Sequence, residues 1–259
     1  MAKAIILAAG QGTRLRPITN DIPKCLVPLM GETLLERQVA TLHSQDVTDI
    51  HIVTGYRADQ IEALGFDTSL NKDYEKTNMV ESLFSALEFM ESCDEDLIIA
   101  YGDIIYKKEN LQKLLSCCGE IAIMIDEEWL SLWSLREENP LDDAETLVLN
   151  SEEYITELGK KPENYEKIQG QYTGLLKIRK NKIQEFISFY NDLDRTVDYD
   201  GNDFLNMYMT SFIQLLINAN WKVKASMVKN GWLEVDSVDD LTTYEDMASK
   251  GTLEKYFDK

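Results

Sequence analysis

Residues 7–28 read LAAGQGTRLRPITNDIPKCLVP, and in this segment a glycine loop directly follows a short apolar run. The apolar run predicts a buried strand, and ligands of parallel α/β sheets bind in the loops that follow such strands. Gly10 and Gly12 lack a Cβ, so backbone N–H groups of the loop can approach a phosphate closely. Arg14 and Lys24 can neutralise the charge that builds on phosphorus during phosphoryl or nucleotidyl transfer. The segment therefore predicts an anion-binding loop at the end of a strand.

Two better-known glycine loops do not fit this segment. A P-loop requires Gly-x-x-x-x-Gly-Lys-Ser/Thr, which is absent, and a dinucleotide-binding loop requires a third glycine where Leu15 stands. A plain strand-to-loop turn with a stray arginine would leave the Pro23-Lys24 pair unexplained. What remains is the pattern Gly-x-Gly-Thr-Arg-x-x-Pro followed by Pro-Lys.

This pattern resembles the signature of the nucleotidyltransferase family that includes the sugar-1-phosphate nucleotidylyltransferases and the bacterial phosphocholine cytidylyltransferases. The resemblance implies that Arg14 contacts the triphosphate and that Lys24 lies between the α-phosphate and the incoming acceptor oxygen. We expect both side chains to be catalytic. The residues expected to bind the nucleotide around the loop are Leu7, Ala8, Ala9, Gly10, Gly12 and Thr13.

Composition limits the classes of partner. The chain has 259 residues, 44% of them hydrophobic, which suffices for a sizeable core. Its 46 acidic against 26 basic residues give a net charge of −20, which would repel nucleic acid and anionic membrane. The apolar run at 4–7 is too short for a signal peptide or a membrane span. We expect a cytoplasmic protein that binds neither nucleic acid nor membrane, and the sequence leaves a homodimer open.

Histidine and cysteine are scarce, with two histidines and four cysteines that lack zinc-ligand spacing. The His-x-Gly-His motif of a second nucleotidyl-transfer chemistry is absent. His51 is expected to be a strand residue. Cys117 and Cys118 have apolar neighbours, which predicts two small buried side chains.

Strand and helix patterns alternate along the first half of the chain. Such alternation predicts an α/β fold: one Rossmann-like domain with a mixed, mostly parallel sheet flanked by helices on both faces. The predicted strands are 3–8, 49–54, 97–101, 172–178, 222–228 and 232–236, and the predicted helices are 34–44, one that opens near Thr77 or Asn78, and 203–218.

We expect one domain over residues 1–259, with a nucleotide-binding part at about 1–126 and an acceptor-binding part at about 127–235. The regular alternation weakens after residue 126. The stretch 127–150 is too polar for a core and too aromatic for a linker. We interpret it as an acceptor-binding insertion, and a charged surface loop is the alternative.

Two aspartates each follow a predicted strand that points at the glycine loop. Mg²⁺ is commonly held by one or two carboxylates plus substrate phosphates, so we expect Asp103 and Asp236 to hold a nucleotide-bound Mg²⁺. The family resemblance agrees, since it places one metal aspartate in a Gly-Asp turn and the second near the end of the chain. A turn-forming role is the alternative. Glu234 would face the same side of an extended strand as Asp236 and is expected to assist the metal or the acceptor.

Asn78 and Ser82 are expected to meet the nucleotide base. An asparagine at a helix start offers both a donor and an acceptor to a pyrimidine edge, and capping the helix is an equally good role for it. Sugar nucleotidylyltransferases usually carry Gln-Pro and Gly-Leu pairs in this region, and this chain lacks them. The Asn-Met start followed by Ser-Leu resembles the cytidylyltransferases, which implies CTP.

The acceptor side offers aromatic, acidic and basic side chains. An indole of Trp129 or Trp133 beside nearby carboxylates would suit an amine or a quaternary ammonium group, whereas Arg136 could bind a carboxylate. Lys160 or Lys161, before a proline, resembles the Glu-Lys-Pro loop that holds the acceptor phosphate in sugar enzymes. The candidate acceptor-binding residues are Trp129, Arg136, Asp143, Glu145, Lys160, Tyr172 and Glu234.

A phosphate or phosphonate acceptor is already ionised near neutral pH and needs no general base, which agrees with the scarcity of histidine. Segments 101–106, 143–145 and 170–174 resemble cytidylyltransferases for phosphonates and for phosphoglutamine in capsule pathways. We therefore expect a Mg²⁺-dependent cytidylyltransferase that joins CTP to a phosphoglutamine, phosphocholine or aminoethylphosphonate type of acceptor. It would give a CDP- or CMP-linked product plus pyrophosphate, for surface polysaccharide modification. The alternatives are a sugar-1-phosphate nucleotidylyltransferase and a non-catalytic nucleotide-binding regulatory subunit.

Overall fold

A seven-stranded sheet between two hydrophobic cores organises residues 2–258, the part of the chain that the computed structural model describes. Residues 1 and 259 of the predicted domain lie outside it. The strands are β1 (Ala2–Ala8), β2 (Pro28–Leu29), β3 (Glu32–Thr33), β4 (Ile50–Thr54), β5 (Asp67–Leu70), β6 (Asp96–Tyr101), β7 (Ile104–Tyr106), β8 (Ile121–Asp126), β9 (Leu147–Leu149), β10 (Ile155–Leu158), β11 (Gln171–Ile178), β12 (Val223–Val228) and β13 (Trp232–Glu234). The α-helices are α1 (Leu34–His43), α2 (Ala58–Glu62), α3 (Met79–Phe84), α4 (Leu87–Glu91), α5 (Lys108–Ser116), α6 (Trp129–Arg136), α7 (Ile183–Asn191), α8 (Met209–Asn218) and α9 (Val238–Ser249).

The order of strands in the main sheet is β12-β8-β11-β6-β1-β4-β5. Strands β1, β4, β5 and β6 run parallel to their neighbours in this group, and β12 runs parallel to β8. Strand β11 runs antiparallel to both β6 and β8. The predicted mixed, mostly parallel sheet is thus confirmed. The division near residue 126 stays a prediction.

Strand β1 places the glycine loop next to the first predicted metal aspartate. Its side chains alternate between the two cores, with Ile6 on one face of the sheet and Ile5 on the other. Its neighbour β6 runs parallel, with Leu7 opposite Tyr101, and the N–H of Gly102 donates to the Leu7 carbonyl at 2.9 Å. The glycine loop and Asp103 therefore leave the sheet at the same edge.

Most predicted elements occur within two residues of their predicted bounds, but the helix predicted at 203–218 is wrong in its first half. Asp203 caps a short 3-10 turn at Phe204–Asn206, and Tyr208 is extended with φ −70° and ψ 151°. Helix α8 begins only at Met209. The apolar spacing continued across this break because both pieces pack on the same core.

Two side-chain predictions have opposite outcomes. His51 is buried in β4, where its ring stacks on Phe89 at 4.7 Å and its Nε2 lies 2.8 Å from the Ser69 hydroxyl, as a strand residue should. The prediction that Cys117 and Cys118 are both buried is wrong, because Cys118 is exposed and Cys117 is half-buried after the end of α5. No helix within residues 2–258 is long and apolar enough to cross a membrane.

Candidate active site

The glycine loop, residues 9–15, packs directly on the stem of Lys24. Gly12 has φ +64°, and a Cβ there would lie 3.0 Å from the side-chain carbons of Lys24. The Thr19 hydroxyl donates to the Gly12 carbonyl at 2.7 Å, which holds the loop from the other side. Glycine at position 12 is therefore required both by the left-handed backbone and by the close approach of Lys24.

Lys24 lies between the two predicted metal aspartates. Its Nζ donates to Asp103 at 2.6 Å and to Asp236 at 2.7 Å, and Arg14 pairs with the second oxygen of Asp236. The Lys24 side chain is 13% exposed. Burial alone would lower the pKa of Lys24, but the two carboxylates outweigh it and hold the pKa above its ordinary value. Lys24 is thus a fixed cation at the edge of the sheet.

The cavity in front of these charges has a volume of about 330 Å³ and is here called the donor cavity. Three of its lining residues, Tyr74, Thr77 and Met79, were not predicted. Tyr74 lies in the turn at 72–76, and Thr77 and Met79 flank the predicted Asn78 at the start of α3. Ala8 instead lines a neighbouring cavity of about 100 Å³. The predicted residues that line the donor cavity are Leu7, Ala9, Gly10, Gly12, Thr13, Arg14, Lys24, Asn78, Ser82, Asp103, Glu234 and Asp236.

Asn78 and Ser82 stand at the N-terminal end of α3. Asn78 caps the helix, since its Oδ1 accepts from the N–H of Met79 at 2.8 Å. Ser82 accepts a hydrogen bond at 3.0 Å from the side-chain amide of the buried Asn71. A hydroxyl can accept and donate at the same time, and the contact with Asn71 uses only the acceptor side. The Ser82 hydrogen can therefore be donated to a ligand in the donor cavity.

A second cavity of about 140 Å³, here called the acceptor pocket, adjoins the donor cavity at Glu234, which lines both. Trp133 donates from Nε1 to Asp143 at 3.0 Å. Glu145 accepts from the Thr210 hydroxyl at 3.2 Å. The residues that line the acceptor pocket are Tyr101, Trp133, Asp143, Glu145, Gln171, Tyr172, Thr173, Gly174, Trp232 and Glu234, and none of these is a lysine or an arginine.

The charged side chains that line the acceptor pocket are all acidic. Burial raises the pKa of Glu145, the hydrogen bond from the Thr210 hydroxyl lowers it, and the nearby Asp143 carboxylate raises it further. No cation among the described residues lines the pocket to offset the negative charge of Glu145. An ammonium group would therefore meet carboxylates and indole rings here.

Three predicted acceptor-binding residues lie outside this pocket. Trp129 is buried in the core and packs edge-on against Trp133 at 5.8 Å. Lys160 pairs with Glu157 at 3.0 Å on the surface. Arg136 is buried between Glu234 and Asp240, so it cannot receive an acceptor carboxylate without losing these partners. The structure brings Asp143, Glu145, Tyr172 and Glu234 together in the lining of the pocket. Trp129 and Arg136 lie behind this lining, against Trp133 and Glu234, and only Lys160 lies away from it.

The pocket contains one residue whose importance the sequence does not show. Gly174 has φ +80°, and a Cβ at this position would lie 2.8 Å from the ring of Tyr101. Tyr101 packs edge-on against Tyr172 at 5.6 Å. Gly174 thus makes room for the aromatic wall of the pocket, a requirement that only the pairing of β11 with β6 creates.

A wider groove of about 1130 Å³ lies elsewhere, between α1, the start of α5 and residues 257–258. None of the predicted site residues lines it. Its volume alone gives it no chemical role.

Lys24 and Arg14 pair with three of the four carboxylate oxygens of Asp103 and Asp236, which leaves one oxygen free for a magnesium ion. Oδ1 of Asp103 is buried and has no hydrogen-bond partner within residues 2–258. The same part of the chain contains no cluster of three or more metal-ligating side chains. Two carboxylates, with the remaining ligands from substrate phosphates and water, are the usual protein contribution to a Mg²⁺ site.

Comparison with known proteins shows the family of this chain. Residues 4–142, which include the glycine loop, Lys24 and Asp103, match the family described as MobA-like NTP transferase domain. The chain belongs to the MobA-like NTP transferase family. This NTP transferase is 44% identical to the CTP:phosphoglutamine cytidylyltransferase of Campylobacter jejuni, over 92% of this chain and 97% of the relative. The protein is therefore a nucleotidyltransferase.

Two solved structures share the fold of this NTP transferase. The inositol-1-phosphate CTP transferase from T. maritima superimposes with a TM-score of 0.72 at 21% identity, covering 99% of this chain and 98% of that one. The CTP:phosphocholine cytidylyltransferase from Streptococcus pneumoniae superimposes with a TM-score of 0.69 at 21% identity, covering 95% and 99% of the two chains. The predicted fold class is confirmed by both.

Proposed function

We propose that this nucleotidyltransferase is a Mg²⁺-dependent cytidylyltransferase that joins CTP to a small phosphorylated acceptor bearing an amine. The observation that carries the proposal is the placement of Lys24 between Asp103 and Asp236, directly under the glycine loop. The relative that acts on phosphoglutamine, aligned over nearly the whole of both chains, supports CTP as the donor.

The acceptor oxygen would attack the α-phosphorus of CTP. A new bond forms between that oxygen and the α-phosphorus, the bond from the α-phosphorus to the β-phosphate oxygen breaks, and pyrophosphate leaves with the electron pair. Arg14 would hold the triphosphate, and Lys24 would neutralise the α-phosphate and the incoming oxygen. Asp103 and Asp236 would hold Mg²⁺, which stabilises the negative charge of the phosphates when bound.

No side chain is needed to remove a proton from the acceptor. A phosphate ester or phosphonate is already an anion at neutral pH, so alignment and charge neutralisation suffice. His51 is buried in the sheet and His43 ends α1, and neither lines the donor cavity or the acceptor pocket.

The acceptor pocket supports an amine-bearing acceptor over a neutral sugar. A sugar phosphate would leave Glu145 and Asp143 without a cation, whereas an ammonium group would pair with them. We favour phosphoglutamine, the acceptor of the 44% identical relative, over phosphocholine and aminoethylphosphonate. We also propose that the protein acts in the cytoplasm and that its product is used in surface polysaccharide modification.

A matrix of nucleotides against acceptors tests the proposed function. Pyrophosphate release is measured with Mg²⁺ for CTP, UTP and dTTP, each with phosphoglutamine, phosphocholine, aminoethylphosphonate and glucose 1-phosphate. We expect release with CTP and an amine-bearing acceptor. Release only with UTP or dTTP and the sugar phosphate would reverse the choice of donor and acceptor, and tight nucleotide binding without any release would favour a regulatory subunit.

Glu145→Gln is expected to raise the KM for the acceptor about 10- to 100-fold, because a hydrogen bond to a charged group is lost. The same change is expected to stabilise the free protein by about 1.4 kcal/mol per pKa unit that burial adds. That gain arises because the pKa of Glu145 is raised in the folded state, so the wild-type protein loses stability as pH rises above the ordinary carboxyl value. Below that value the two proteins should have equal stability.

Acceptor kinetics and thermal unfolding at pH 7 and pH 4 check both expectations for Glu145. The exposed Glu152→Gln is the matched control and should change neither quantity. An unchanged acceptor KM together with a lower melting temperature would assign Glu145 a purely structural role.

A further inference from the structure

Arg136 and Asp240 form a buried contact beside the active site that the proposed reaction does not use. The Arg136 side chain is 6% exposed and that of Asp240 is 5% exposed. Arg136 donates from Nε to Asp240 at 3.0 Å, and its Nη1 lies 2.7 Å from an oxygen of Glu234. Its guanidinium also stacks over the Trp133 ring at 5.5 Å. One side chain thus joins α6, β13 and α9.

Asp240 connects this contact to the predicted metal ligand. Its Oδ2 accepts from the backbone N–H of Asp236 at 3.0 Å and from that of Ser237 at 2.9 Å. The Ser237 hydroxyl accepts from the Asp240 N–H in return, which makes a capping box at the start of α9. The backbone that carries the Asp236 carboxylate is therefore fixed through Asp240.

Arg136 also balances the charge of the site. Glu234 lies at the junction of the donor cavity and the acceptor pocket, where its side chain is 26% exposed and lines the donor cavity together with Asp103 and Asp236. Without Arg136, which lies 2.7 Å from it, Glu234 would be an additional unpaired carboxylate in the cavity that Lys24 lines. The charged groups of the cluster are Arg14, Lys24, Arg136, Asp103, Glu234, Asp236 and Asp240.

We propose that Arg136 and Asp240 are positioning residues that orient Asp236 and Glu234 for binding of the Mg²⁺–nucleotide complex. The inference rests on the proposed function. Groups that orient a metal ligand typically change metal affinity about 10- to 100-fold when they are altered. Arg136 serves two carboxylates through a planar fork, which a lysine ammonium cannot reproduce.

The test measures the Mg²⁺ concentration that gives half-maximal CTP binding. Binding is measured by calorimetry in the absence of acceptor. Arg136→Lys keeps the positive charge and loses one of the two contacts, to Asp240 or to Glu234. Asp240→Asn replaces one carboxylate oxygen by an amide NH₂, so either the Arg136 guanidinium or the backbone N–H groups lose their acceptor. We expect each variant to raise that Mg²⁺ concentration about 10-fold or more while remaining folded. Should Arg136→Lys fail to fold, Asp240→Asn carries the same test.

Lys177→Met is the matched control, because Lys177 is 3% exposed, donates to the Leu115 carbonyl at 2.7 Å and lies 3.4 Å from the half-buried Asp96, outside both cavities. It should lower the melting temperature and leave the Mg²⁺ dependence unchanged. If Arg136→Lys and Asp240→Asn behave like this control, the inference is overturned and the network is structural only. If the wild-type protein does not bind CTP at any Mg²⁺ concentration, the proposed function fails and the inference fails with it.

Discussion

Lys24→Ala is expected to lower kcat about 10²- to 10³-fold, as the loss of one charged contact to a transition state typically does. The Lys24 ammonium is the cation that Asp103 and Asp236 hold in place beside the glycine loop. Its loss removes the charge that would neutralise the α-phosphate and leaves two carboxylates facing each other. Steady-state pyrophosphate release with saturating CTP and acceptor measures the effect.

A circular dichroism spectrum and a cooperative melting transition must show that the Lys24→Ala protein is folded. The exposed Lys250→Ala, which removes a surface pair with Asp246, is the control and should keep wild-type turnover. A Lys24→Ala protein that is folded and retains wild-type kcat would remove Lys24 from the catalytic residues.

Asp103→Asn is expected to lower kcat about 10²-fold or more and to raise the Mg²⁺ requirement, because a neutral amide is a poor magnesium ligand. The substitution conserves the volume of the side chain, and the backbone carbonyl of Asp103 still accepts from the N–H of Val235 at 3.0 Å. The local fold should therefore persist. Turnover measured against Mg²⁺ concentration separates a loss of metal affinity from a loss of rate.

Asp246→Asn is the matched control for this change, since Asp246 is exposed and lies on α9 away from both cavities. A metal dependence of Asp103→Asn that matches the control would contradict the assignment of Asp103 as a ligand. Partial recovery of Asp103→Asn turnover at high Mg²⁺ concentration would support the assignment of Asp103 as a metal ligand.

The residues that line the donor cavity could be predicted from the sequence because their signals are local. The apolar run of β1, the glycines of the loop and the Gly-Asp turn after β6 lie within short segments. The parallel pairing of β1 with β6 then brings those segments together without further information. Asn78 was predicted as either a helix cap or a base ligand; the structure shows the cap, and contact with the base stays a prediction.

The acceptor side was predicted less well because its geometry depends on contacts distant in sequence. Arg136 and Asp240 are 104 positions apart, and no local sequence pattern shows that their side chains form a buried ion pair. Trp129 stands in a polar stretch that suggests exposure, yet α6 turns its ring into the core. The constraint on Gly174 arises only when β11 pairs with β6.

The most direct measurement follows the phosphorus atoms of CTP. CTP labelled on the α-phosphorus and CTP labelled on the γ-phosphorus are each incubated with the wild-type protein, Mg²⁺ and phosphoglutamine, and the products are separated. We expect the α-label to enter the acceptor product and the γ-label to leave entirely as pyrophosphate. Transfer of the γ-label to phosphoglutamine, or retention of both labels in CTP, would be the opposite result and would rule out cytidylyl transfer to this acceptor.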